Sequence, residues 1–547
     1  MNRLHYETTL DGRPKNIRVE CDFKYKRGVL NIAGARKQSD GSITLPPDPF
    51  NVEQLLEYIP DLQLTDDAKE WFEKFKRKEE LLASIKASDK FELMFTDNLY
   101  NYQTVDVKFM KEAQRVINAN DMGLGKTVEA IATIKELRCA KILCVVPKQV
   151  MYNWAKEIRK WDVDDINIVD GTAEERQEKL KRDAKCTLVN YYMIRQKDGR
   201  SKFPSLFKTE WDAIIFDEAH RLKNRKAQQS KGAKRLKAKY KIMLTGSPMP
   251  NHPHELWHLL HILYPERFSS YWQFVERFCT TEESYFSRTP IITGVKNKEK
   301  LQRILVPIMI RREKDEVLDL PPKTYQTIEL HLEGQQKKLY QQMERDLVAW
   351  INGEPHKVAT DLGKMLRLRQ LCLTPALIGG PAESVKTNAL INLLEDTSHK
   401  VVVFSWFKEY IKHLEEVLTD KGFKVVSVHG DKSAKQRHQA EEQFWNDSDT
   451  SVFLGTIRAA GEGMNLQCAP TLIFTDKDWV PKVNRQVEAR VYRHGQKRNT
   501  NIISLICANT IEEDMELAIM RKEDIIDSVL AMENVAKKLL ERYQKNG

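Results

Sequence analysis

Residues 120–127 read Asn-Asp-Met-Gly-Leu-Gly-Lys-Thr, a spacing of glycine, lysine and threonine that is typical of a phosphate-binding loop. Gly123 and Gly125 permit a tight turn whose backbone N–H groups point at an anion, and Lys126 can reach the outer phosphates of a nucleotide. The Thr127 hydroxyl is a candidate ligand of Mg²⁺, and a helix that opens at Lys126 would add its positive dipole end. Asn120 occupies the place of the first glycine in the general pattern, so the loop needs support from other motifs.

A second chemical signal follows the apolar run Ala213–Phe216, which passes directly into the carboxylates of Asp217 and Glu218. Two acids at the end of a strand suit nucleotide hydrolysis: Asp217 would hold Mg²⁺ through water, and Glu218 would orient and deprotonate the attacking water. The alternative is a pair of solvated acids at a strand end. The Gly-Lys-Thr segment upstream favours the hydrolytic interpretation, because the two motifs together form a nucleotide site.

Residues 221–241 carry ten lysines and arginines and no acid. A run of this kind is usually a solvated helix face, and here it is equally a candidate contact for the phosphate backbone of a nucleic acid. Leu244–Pro248 then ends the next predicted strand with two hydroxyl groups, which could couple the state of the nucleotide to movement elsewhere.

The elements that must position these groups are predicted from the alternation of apolar runs with helical segments after Tyr102, a pattern typical of a parallel α/β sheet. Near-continuous apolar runs suit strands that are covered on both faces, and four such strands are predicted: Ile142–Val146, Thr187–Asn190, Ala213–Phe216 and Ile242–Leu244. Each run ends in residues with chemical potential. We therefore expect a ligand site beyond the carboxyl ends of the strands, where α/β sheets bind their ligands.

Length and composition limit the class of protein. A chain of 547 residues is too long for one hydrophobic core and suggests about three domains, and 41% hydrophobic with 30% charged residues is typical of a globular protein. The formal charge of +10 fits a polyanionic partner without requiring one. The eight cysteines form no Cys-x-x-Cys pair, which argues against a zinc site and against a disulfide framework. No apolar run approaches the ~20 residues of a membrane span, and the N-terminus lacks the apolar core of a signal peptide.

Residues 1–92 are predicted to form a separate small α+β domain. Apolar alternation over residues 17–25 predicts a half-buried strand, and Val29–Ile32 is predicted as its hairpin partner. One helix is expected over about Val52–Tyr58, and a longer one begins after the cap Thr65. No catalytic constellation occurs in this segment, and a contact with a partner protein is the role left open for it.

In combination, the motifs resemble the switching-defective/sucrose-nonfermenting (Swi/Snf) ATPases of helicase superfamily two over about residues 95–535. The loop of that family reads Ala-Asp-Glu-Met-Gly-Leu-Gly-Lys-Thr, and here Asn120 and Asp121 stand in the Asp-Glu places. The family also lacks the first glycine of the general pattern. Further matches in the first half are Leu99–Gln103, Pro147 with Asn153, Trp154 and Glu157, Asn190-Tyr191, Asp217–Asn224, and Leu244–Pro248 with Asn251.

The second half continues the resemblance. Met309–Val317 is similar to the segment that joins the two lobes, and residues of about 250–305 and 325–380 fall where the family inserts helical protrusions. Thr374 stands where the family usually has His, and Trp479-Val480-Pro481 replaces its usual Trp-Asn-Pro. Other segments that match lobe two are Lys400–Ser405, Val425–Gly430, Asp431–Phe444, Phe453–Thr456, Ala460–Leu466, Gln486–Gln496 and Thr510–Glu513.

The resemblance implies functional residues by their place in these motifs. Those implied for catalysis are Lys126, Asp217, Glu218, Gln486, Arg490 and Arg493. Those implied for ATP are Tyr102, Gln103, Met122, Gly123, Leu124, Gly125, Lys126 and Thr127, with Thr127 and Asp217 as ligands of Mg²⁺. Those implied for DNA are Asn190, Arg221, Lys223, Asn224, His429, Gly430, Thr456, Gly461, Gly463 and Trp479. Because Arg490 and Arg493 are three residues apart, we expect them to share a helix face, and a guanidinium on the γ-phosphate contributes roughly 10³–10⁵ in rate.

The implied fold is α/β, with two tandem RecA-like parallel-sheet lobes at residues 93–320 and 321–547 that carry helical protrusions, after the N-terminal domain at 1–92. The implied protein is a compact motor of bacterial or viral type, cytoplasmic there or nuclear in a eukaryote, with no membrane contact. It would hydrolyse ATP with Mg²⁺ and translocate on double-stranded DNA with little sequence preference. Two alternatives stay open: a strand-separating DNA or RNA helicase on the same lobes, and a scaffold that binds ATP as a static switch.

Overall fold

The computed structural model describes residues 2–9, 14–32, 34–95, 98–283, 290–346, 348–351, 354–357, 360–460 and 464–532. The chain divides into two compact units: unit 1 comprises the residues up to Glu313 and those from Ile525 onward, and unit 2 comprises Lys314–Asp524. Across the described ranges, no helix combines the length and the apolar character needed to cross a membrane.

The N-terminal part of unit 1 is a five-stranded sheet of order β3-β4-β2-β1-β5, antiparallel except between β1 and β5. Its core contains Leu4, Ile17, Val19 and Ile43 from the strands and Phe72 from the long helix. The elements are β1 Arg3–Thr8, β2 Pro14–Glu20, α1 Phe23–Leu30, β3 Arg36–Lys37, β4 Ile43–Leu45, α2 Pro49–Tyr58, β5 Gln63–Leu64 and α3 Asp66–Lys86.

The predicted helices α2 and α3 are confirmed, but the predicted hairpin is wrong, because residues 23–30 form the helix α1 and β2 pairs with β4 instead. Full burial along this alternation ends at Val19, since Cys21 and Tyr25 are only partly buried against the core and Phe23 is 89% exposed. Cys21, Tyr25 and Val29 follow one another at intervals of four, and that spacing satisfies both a strand of period two and a helix face. The pattern alone therefore could not distinguish the two structures.

This N-terminal part is fixed to the rest of unit 1 by charged and aromatic contacts. The ion pairs are Arg267 Nε with Asp48 Oδ1 at 3.0 Å and Arg303 with Glu53 at 2.7 Å, and both guanidinium groups also lie over the ring of Phe50. At the end of α3, Lys86 Nζ donates to the carbonyl oxygens of Val306 and Met309, at 2.7 and 2.6 Å. These contacts join α2 and α3 to the helical protrusion of the first lobe.

The first lobe is built on a seven-stranded, entirely parallel sheet of order β16-β6-β13-β12-β7-β9-β8. Its elements are α4 Asn101–Ala113, β6 Arg115–Asn118, α5 Lys126–Glu136, β7 Ile142–Val146, α6 Met151–Arg159, β8 Ile166–Ile168, α7 Ala173–Lys179, β9 Cys186–Asn190, β10 Gln196–Lys197, β11 Arg200–Ser201, α8 Ser205–Lys208, β12 Trp211–Asp217, α9 Gln228–Arg235, β13 Ala238–Leu244, α10 Glu255–Leu263, α11 Tyr271–Phe278, β14 Cys279–Glu282, β15 Ile291–Val295, α12 Lys298–Leu305 and β16 Met309–Ile310.

The four strands predicted from apolar runs are all present in this sheet, as β7, β9, β12 and β13. Alternate residues of each strand enter two different cores, one on each face: Leu143 and Val145 enter one, while Ile142, Cys144 and Val146 enter the other. Burial on both faces is the reason that these strands read as continuous apolar runs. The basic run at 221–241 divides between a short 3-10 helix, α9 and the start of β13.

Unit 2 contains a second parallel sheet, with six strands in the order β17-β24-β23-β20-β22-β21. Val402 and Phe404 face one core of this sheet, and Val401 and Val403 face the other. The elements are α13 Lys314–Val317, β17 Lys323–Leu330, α14 Gly334–Asp346, β18 Val348–Ile351, β19 Glu354–Lys357, α15 Asp361–Leu373, α16 Val385–Glu395, β20 Val401–Ser405, α17 Lys408–Asp420, β21 Val425–Val428, α18 Ala434–Asn446, β22 Val452–Thr456, α19 Ile457–Ala460, β23 Thr471–Phe474, α20 Pro481–Val491, β24 Thr500–Cys507 and α21 Ile511–Leu530.

The prediction of an α/β protein with two parallel-sheet lobes is therefore confirmed. Helical protrusions are inserted in both lobes, as α10–α12 in the first and as α14 and α15 in the second. Residues 323–330, at the start of the second predicted protrusion, form a strand of the unit 2 sheet that pairs with β24 along its whole length.

The buried Lys86 ammonium predicts a pH-dependent stability. Burial lowers the pKa of Lys86 to about 7, whereas an unfolded lysine titrates near 10.4. Between about pH 7 and pH 10 the unfolded chain therefore binds more protons than the folded chain, so this residue makes stability rise with pH. We expect the difference in Tm between wild type and Lys86→Met to shift in favour of the wild type as pH rises from 7 to 9.5.

Differential scanning calorimetry across that pH range measures the effect, with Lys74→Met on the exposed side of the same helix as the matched control. A difference in Tm that is constant with pH for Lys86→Met, as is expected for Lys74→Met, would contradict a lowered pKa of Lys86 in the folded protein.

Candidate functional site

The loop between β6 and α5 has the backbone of a phosphate site. Gly123 and Gly125 adopt φ angles of +90° and +82°, in the left-handed region, and Gly125 is the N-cap of α5. A Cβ atom at Gly125 would lie 2.3 Å from the side-chain nitrogen of Gln103, so that only glycine fits this place. Lys126 and Thr127 are then the first two residues of the helix, where free backbone N–H groups and the helix dipole favour an anion.

Two residues predicted to bind ATP, Tyr102 and Gln103, brace this loop from α4. The Tyr102 hydroxyl and the Gln103 side-chain amide both donate to the carbonyl oxygen of Leu124, each at 3.0 Å. The Gln103 side-chain oxygen in turn accepts from the backbone N–H of Tyr100 at 3.0 Å. Met122, also predicted here, approaches Gly246 of the threonine–glycine–serine segment after β13. The loop is thus positioned by α4 and by the end of a neighbouring strand.

The Lys126 ammonium is folded back onto its own loop, where it donates to the carbonyl oxygens of Asn120 and Asp121 at 2.6 and 2.8 Å. Burial lowers the pKa of Lys126, and the charges of Glu218 and Asp121 oppose that shift. The Lys126 ammonium is therefore influenced by the charge of Glu218 at the end of β12. Its two hydrogen-bond acceptors are carbonyl oxygens, which the oxygens of a bound anion can replace.

The carboxylates stand where β12 ends. Asp217 Oδ2 accepts from the indole N–H of Trp154 at 2.8 Å, and Oδ1 accepts from the backbone N–H of Glu218 at 2.9 Å. Burial, and after it the charge of Glu218, raise the pKa of Asp217 to about 6. The Tyr191 hydroxyl donates to the carbonyl oxygen of Asp217 at 2.6 Å.

Glu218 itself has a left-handed backbone, with φ of +51° and ψ of +48°, which is strained for a residue with a side chain. Its carboxylate lies 3.1 Å from Nδ1 of His220, which is 3.4 Å from the hydroxyl of Thr245. The left-handed backbone of Glu218 turns the chain sharply after Asp217. The two adjacent acids therefore contact different partners, Trp154 and His220.

Beneath the loop lies a buried polar network that sequence reasoning missed. The Asn120 amide donates to Asp106 at 2.7 Å and to Glu129 at 3.3 Å, and the Asn118 amide donates to Glu129 at 2.5 Å. Arg312 Nε binds the other oxygen of Asp106 at 2.8 Å. Burial raises the pKa of both acids, with the charge of Asp106 adding to the shift at Glu129 and that of Arg312 opposing it at Asp106. The sequence carried one signal of this network, because Asp106 stands between two valines at a position of α4 where an apolar residue is expected.

The loop is also tied by its backbone to the last strand of unit 1. The N–H of Ala119 donates to Ile310 at 2.7 Å, and the N–H of Asp121 donates to Arg312 at 3.0 Å. Arg311 adds a hydrogen bond to the Ala119 carbonyl oxygen at 3.2 Å. The phosphate loop therefore continues the pairing of β6 with β16.

In unit 2, Gln486 and Arg490 lie on α20, but the expected helix face shared by Arg490 and Arg493 is wrong. The helix ends at Val491, and Tyr492 is extended with ψ of +91°. The Tyr492 hydroxyl donates to Asp315 at 2.8 Å and its carbonyl oxygen accepts from Lys314 at 2.7 Å. These contacts hold Tyr492 outside the helix and place Arg493 beyond its end.

The residues predicted for DNA occupy several environments. Asn190 and Thr456 are the last residues of β9 and β22, and His429 with Gly430 follows β21, so all four stand at carboxyl ends of parallel strands. Arg221, Lys223 and Asn224 follow Glu218, and Lys223 pairs with Glu255 at 2.6 Å. Trp479 is half-buried, with its carbonyl oxygen bound by Lys522 at 2.9 Å. Gly461 and Gly463 lie outside the described residues.

Comparisons with known proteins match both halves of the chain. A profile described as the SNF2-related domain matches residues 102–377, and one described as the helicase conserved C-terminal domain matches residues 385–495. Chromodomain-helicase-DNA-binding protein 6 of Mus musculus is 32% identical over 453 residues, which are 73% of this chain and 16% of that protein. The ISWI chromatin-remodeling complex ATPase ISW1 of Saccharomyces cerevisiae is 31% identical over 430 residues, 73% of this chain and 37% of that protein.

A solved structure, the Sulfolobus solfataricus SWI2/SNF2 ATPase core in complex with dsDNA, is 25% identical with a TM-score of 0.40 and covers 82% of this chain and 97% of that chain. The chain spans 16% to 37% of the length of the two relatives named above.

The network under the loop predicts a coupled pair of substitutions. Asn120→Asp would remove the amide donor and place a third carboxylate beside Asp106 and Glu129, at a cost of about 1–3 kcal/mol for the unsatisfied buried groups. We expect Glu129→Gln in the same chain to restore much of this loss, because glutamine supplies a donor and removes one charge. Urea unfolding of wild type, both single variants and the double variant measures the coupling. Simple additivity of the two changes would show that the residues do not share one network.

Proposed function

The chain belongs to the SNF2-related family of helicase superfamily two, and on that premise we propose that it is a DNA-stimulated ATP hydrolase that translocates on double-stranded DNA. It would remodel DNA or protein–DNA complexes without full strand separation. The observation that carries the proposal is the placement of the Asp217–Glu218 pair at the carboxyl end of β12, in the same parallel sheet as β6, whose carboxyl end leads into the phosphate loop with Lys126. This combination supplies what phosphoryl transfer to water requires: a cradle for phosphate, a carboxylate for a cation and a base.

The donor set fits Mg²⁺, because the Thr127 hydroxyl and the Asp217 carboxylate are hard oxygen ligands of the kind that this ion prefers. When bound, the ion would neutralise charge on the β- and γ-phosphates. Lys126 would exchange the carbonyl oxygens of Asn120 and Asp121 for phosphate oxygens, and the adenine would lie on the side of Tyr102 and Gln103. Gly123, Leu124 and Gly125 would present backbone N–H groups to the phosphates.

Glu218 would act as the base toward water, with His220 orienting its carboxylate. We assign Gln486, Arg490 and Arg493 to the γ-phosphate, as the family resemblance implies. A guanidinium placed there stabilises the charge that spreads over the phosphoryl oxygens in the transition state. The protein would then alternate between two conformations, because bound nucleotide makes contacts with these residues that are absent without it.

Duplex DNA is the proposed track. The relatives above are named as DNA-binding or chromatin-remodeling proteins. The candidate contacts at the strand ends and in the run after Glu218 suit a phosphate backbone, which predicts little sequence preference. We propose the domain limits 1–92, 93–320 and 321–547, and a protein partner that binds through the first of these domains.

Two substitutions test the hydrolytic site. Lys126→Ala is expected to abolish tight nucleotide binding or turnover, because the ammonium that meets the phosphates is gone. Glu218→Gln is expected to keep ATP affinity within about threefold while turnover falls by about 10²-fold or more, as loss of a general base predicts. Fluorescent-nucleotide binding and phosphate release measure the two effects. Full ATPase activity in Glu218→Gln would remove the proposed base.

The nucleic-acid substrate is tested by comparing activators. Duplex DNA is expected to stimulate ATP turnover more than single-stranded DNA or RNA, and stimulation should fall by about 10-fold or more between 50 and 200 mM salt, because phosphate contacts dominate. A triplex-displacement assay reports translocation without strand opening, with Glu218→Gln as the inactive control. Preferential activation by RNA, or unwinding of a duplex, would favour a helicase, and turnover that no nucleic acid stimulates would favour a static switch.

A further inference from the structure

We infer that Trp154 is a positioning residue for the metal carboxylate: its indole N–H holds the Asp217 side chain in the orientation that binds the divalent cation. The inference rests on the proposed function and deepens it. Trp154 would act through Asp217, to which its indole is hydrogen-bonded.

The geometry is that of an outer partner of a metal ligand. Trp154 Nε1 lies 2.8 Å from Asp217 Oδ2, and the indole is 3% exposed. The other carboxylate oxygen, Oδ1, is held by the backbone N–H of Glu218 at 2.9 Å. Each oxygen thus has one fixed donor, which sets the rotation of the carboxylate and leaves its other lone pairs for a cation or its bound water. Partners of this kind typically change metal affinity or activity by about 10–100-fold when removed.

A second aromatic donor fixes the main chain of the same residue. The Tyr191 hydroxyl, just past the end of β9, binds the Asp217 carbonyl oxygen at 2.6 Å. Trp154 comes from α6, which follows the end of β7, the strand next to β12 in the sheet. Side chain and backbone of Asp217 are therefore held by residues from two different strand–helix connections, and a shift of either connection displaces the carboxylate.

Trp154 lies on the buried side of α6. Trp154 packs into the core with Ala155 and Ile158, whereas Asn153 and Lys156 of the same helix are exposed. One side of α6 therefore reaches the metal carboxylate, and the other meets solvent with a basic and an amide side chain. The hydrogen bond to Asp217 is therefore made from the buried side of α6.

The chain offers a matched control. Trp161, soon after the end of α6, is 5% exposed and belongs to the same core, where its ring meets the edge of Phe95 with the ring centroids 6.3 Å apart. Trp161→Phe removes the same atoms from the same core as Trp154→Phe. Among the hydrogen bonds of the described residues, the Trp161 indole makes none to Asp217 or Glu218, whereas the Trp154 indole donates to Asp217. A difference between the two variants therefore isolates the hydrogen bond from the loss of packing.

The experiment is an electron paramagnetic resonance titration of free Mn²⁺ against the full chain in the presence of ADP. We expect Trp154→Phe to weaken Mn²⁺ binding by about 10-fold, while Trp161→Phe stays within about twofold of wild type. ADP affinity in EDTA should be unchanged in both variants. In ATP turnover, Trp154→Phe should raise the Mg²⁺ concentration for half-maximal rate by a similar factor, and excess Mg²⁺ should restore much of kcat.

Replacement of Trp154 by 3-benzothienylalanine, which keeps the ring volume and lacks the N–H, covers the case in which the phenylalanine variant does not fold. Wild-type Mn²⁺ affinity in either Trp154 variant, or an equal loss in Trp161→Phe, would overturn the inference. A wild-type chain that binds Mn²⁺ with ADP yet shows no ATP turnover would instead refute the proposed function, so the two failures are distinguishable.

Discussion

Charge can remain in the interior of unit 1 only where each group meets a partner, and this requirement shapes the phosphate loop. Asp106 and Glu129 are both fully buried, and they accept hydrogen bonds from the side-chain amides of Asn118 and of Asn120, the first residue of the loop. Burial of two carboxylates without such donors would cost several kcal/mol. The loop therefore has its conformation partly because the acids beneath it must be satisfied, and Asn120 suits that place better than another acid would.

The same network reaches the end of unit 1. Asp106 holds Arg312 by its side chain, and the N–H of Asp121 holds Arg312 by its carbonyl oxygen. Arg312 therefore has two attachments to the loop region and stands one residue before Glu313, the last residue of unit 1 ahead of unit 2. Lys126 also binds the carbonyl oxygen of Asp121. An anion that draws the ammonium away therefore removes a contact from Asp121, whose N–H is bonded directly to Arg312.

The sequence was most informative where local burial determines structure. Ile142–Val146 was predicted with the bounds that β7 has, because a strand covered on both faces has no polar residue to obscure its ends. The end of α20 was not predictable, since Tyr492 is held by Asp315, which is 177 residues away in sequence. Arg312 and Asp106 are separated by 206 residues, so neither spacing nor periodicity connects them. Motifs identified Lys126, Asp217 and Glu218, and they also included Trp154 and Tyr191, but only the tertiary structure shows that these two hold Asp217.

The N-terminal part of unit 1 has a core of its own and also contributes residues to the cores of the first lobe. It has its own sheet and its own core. Yet Phe50 of α2 lies in the main core of the first lobe, and Leu82 and Ile85 of α3 lie in the core on the other face of its sheet. Lys86 adds hydrogen bonds to Val306, before β16, and to Met309, the first residue of β16, and Ile310 of this strand contacts the loop region. Because hydrophobic burial and buried polar contacts act together there, this part is joined to the phosphate loop through α3 and β16.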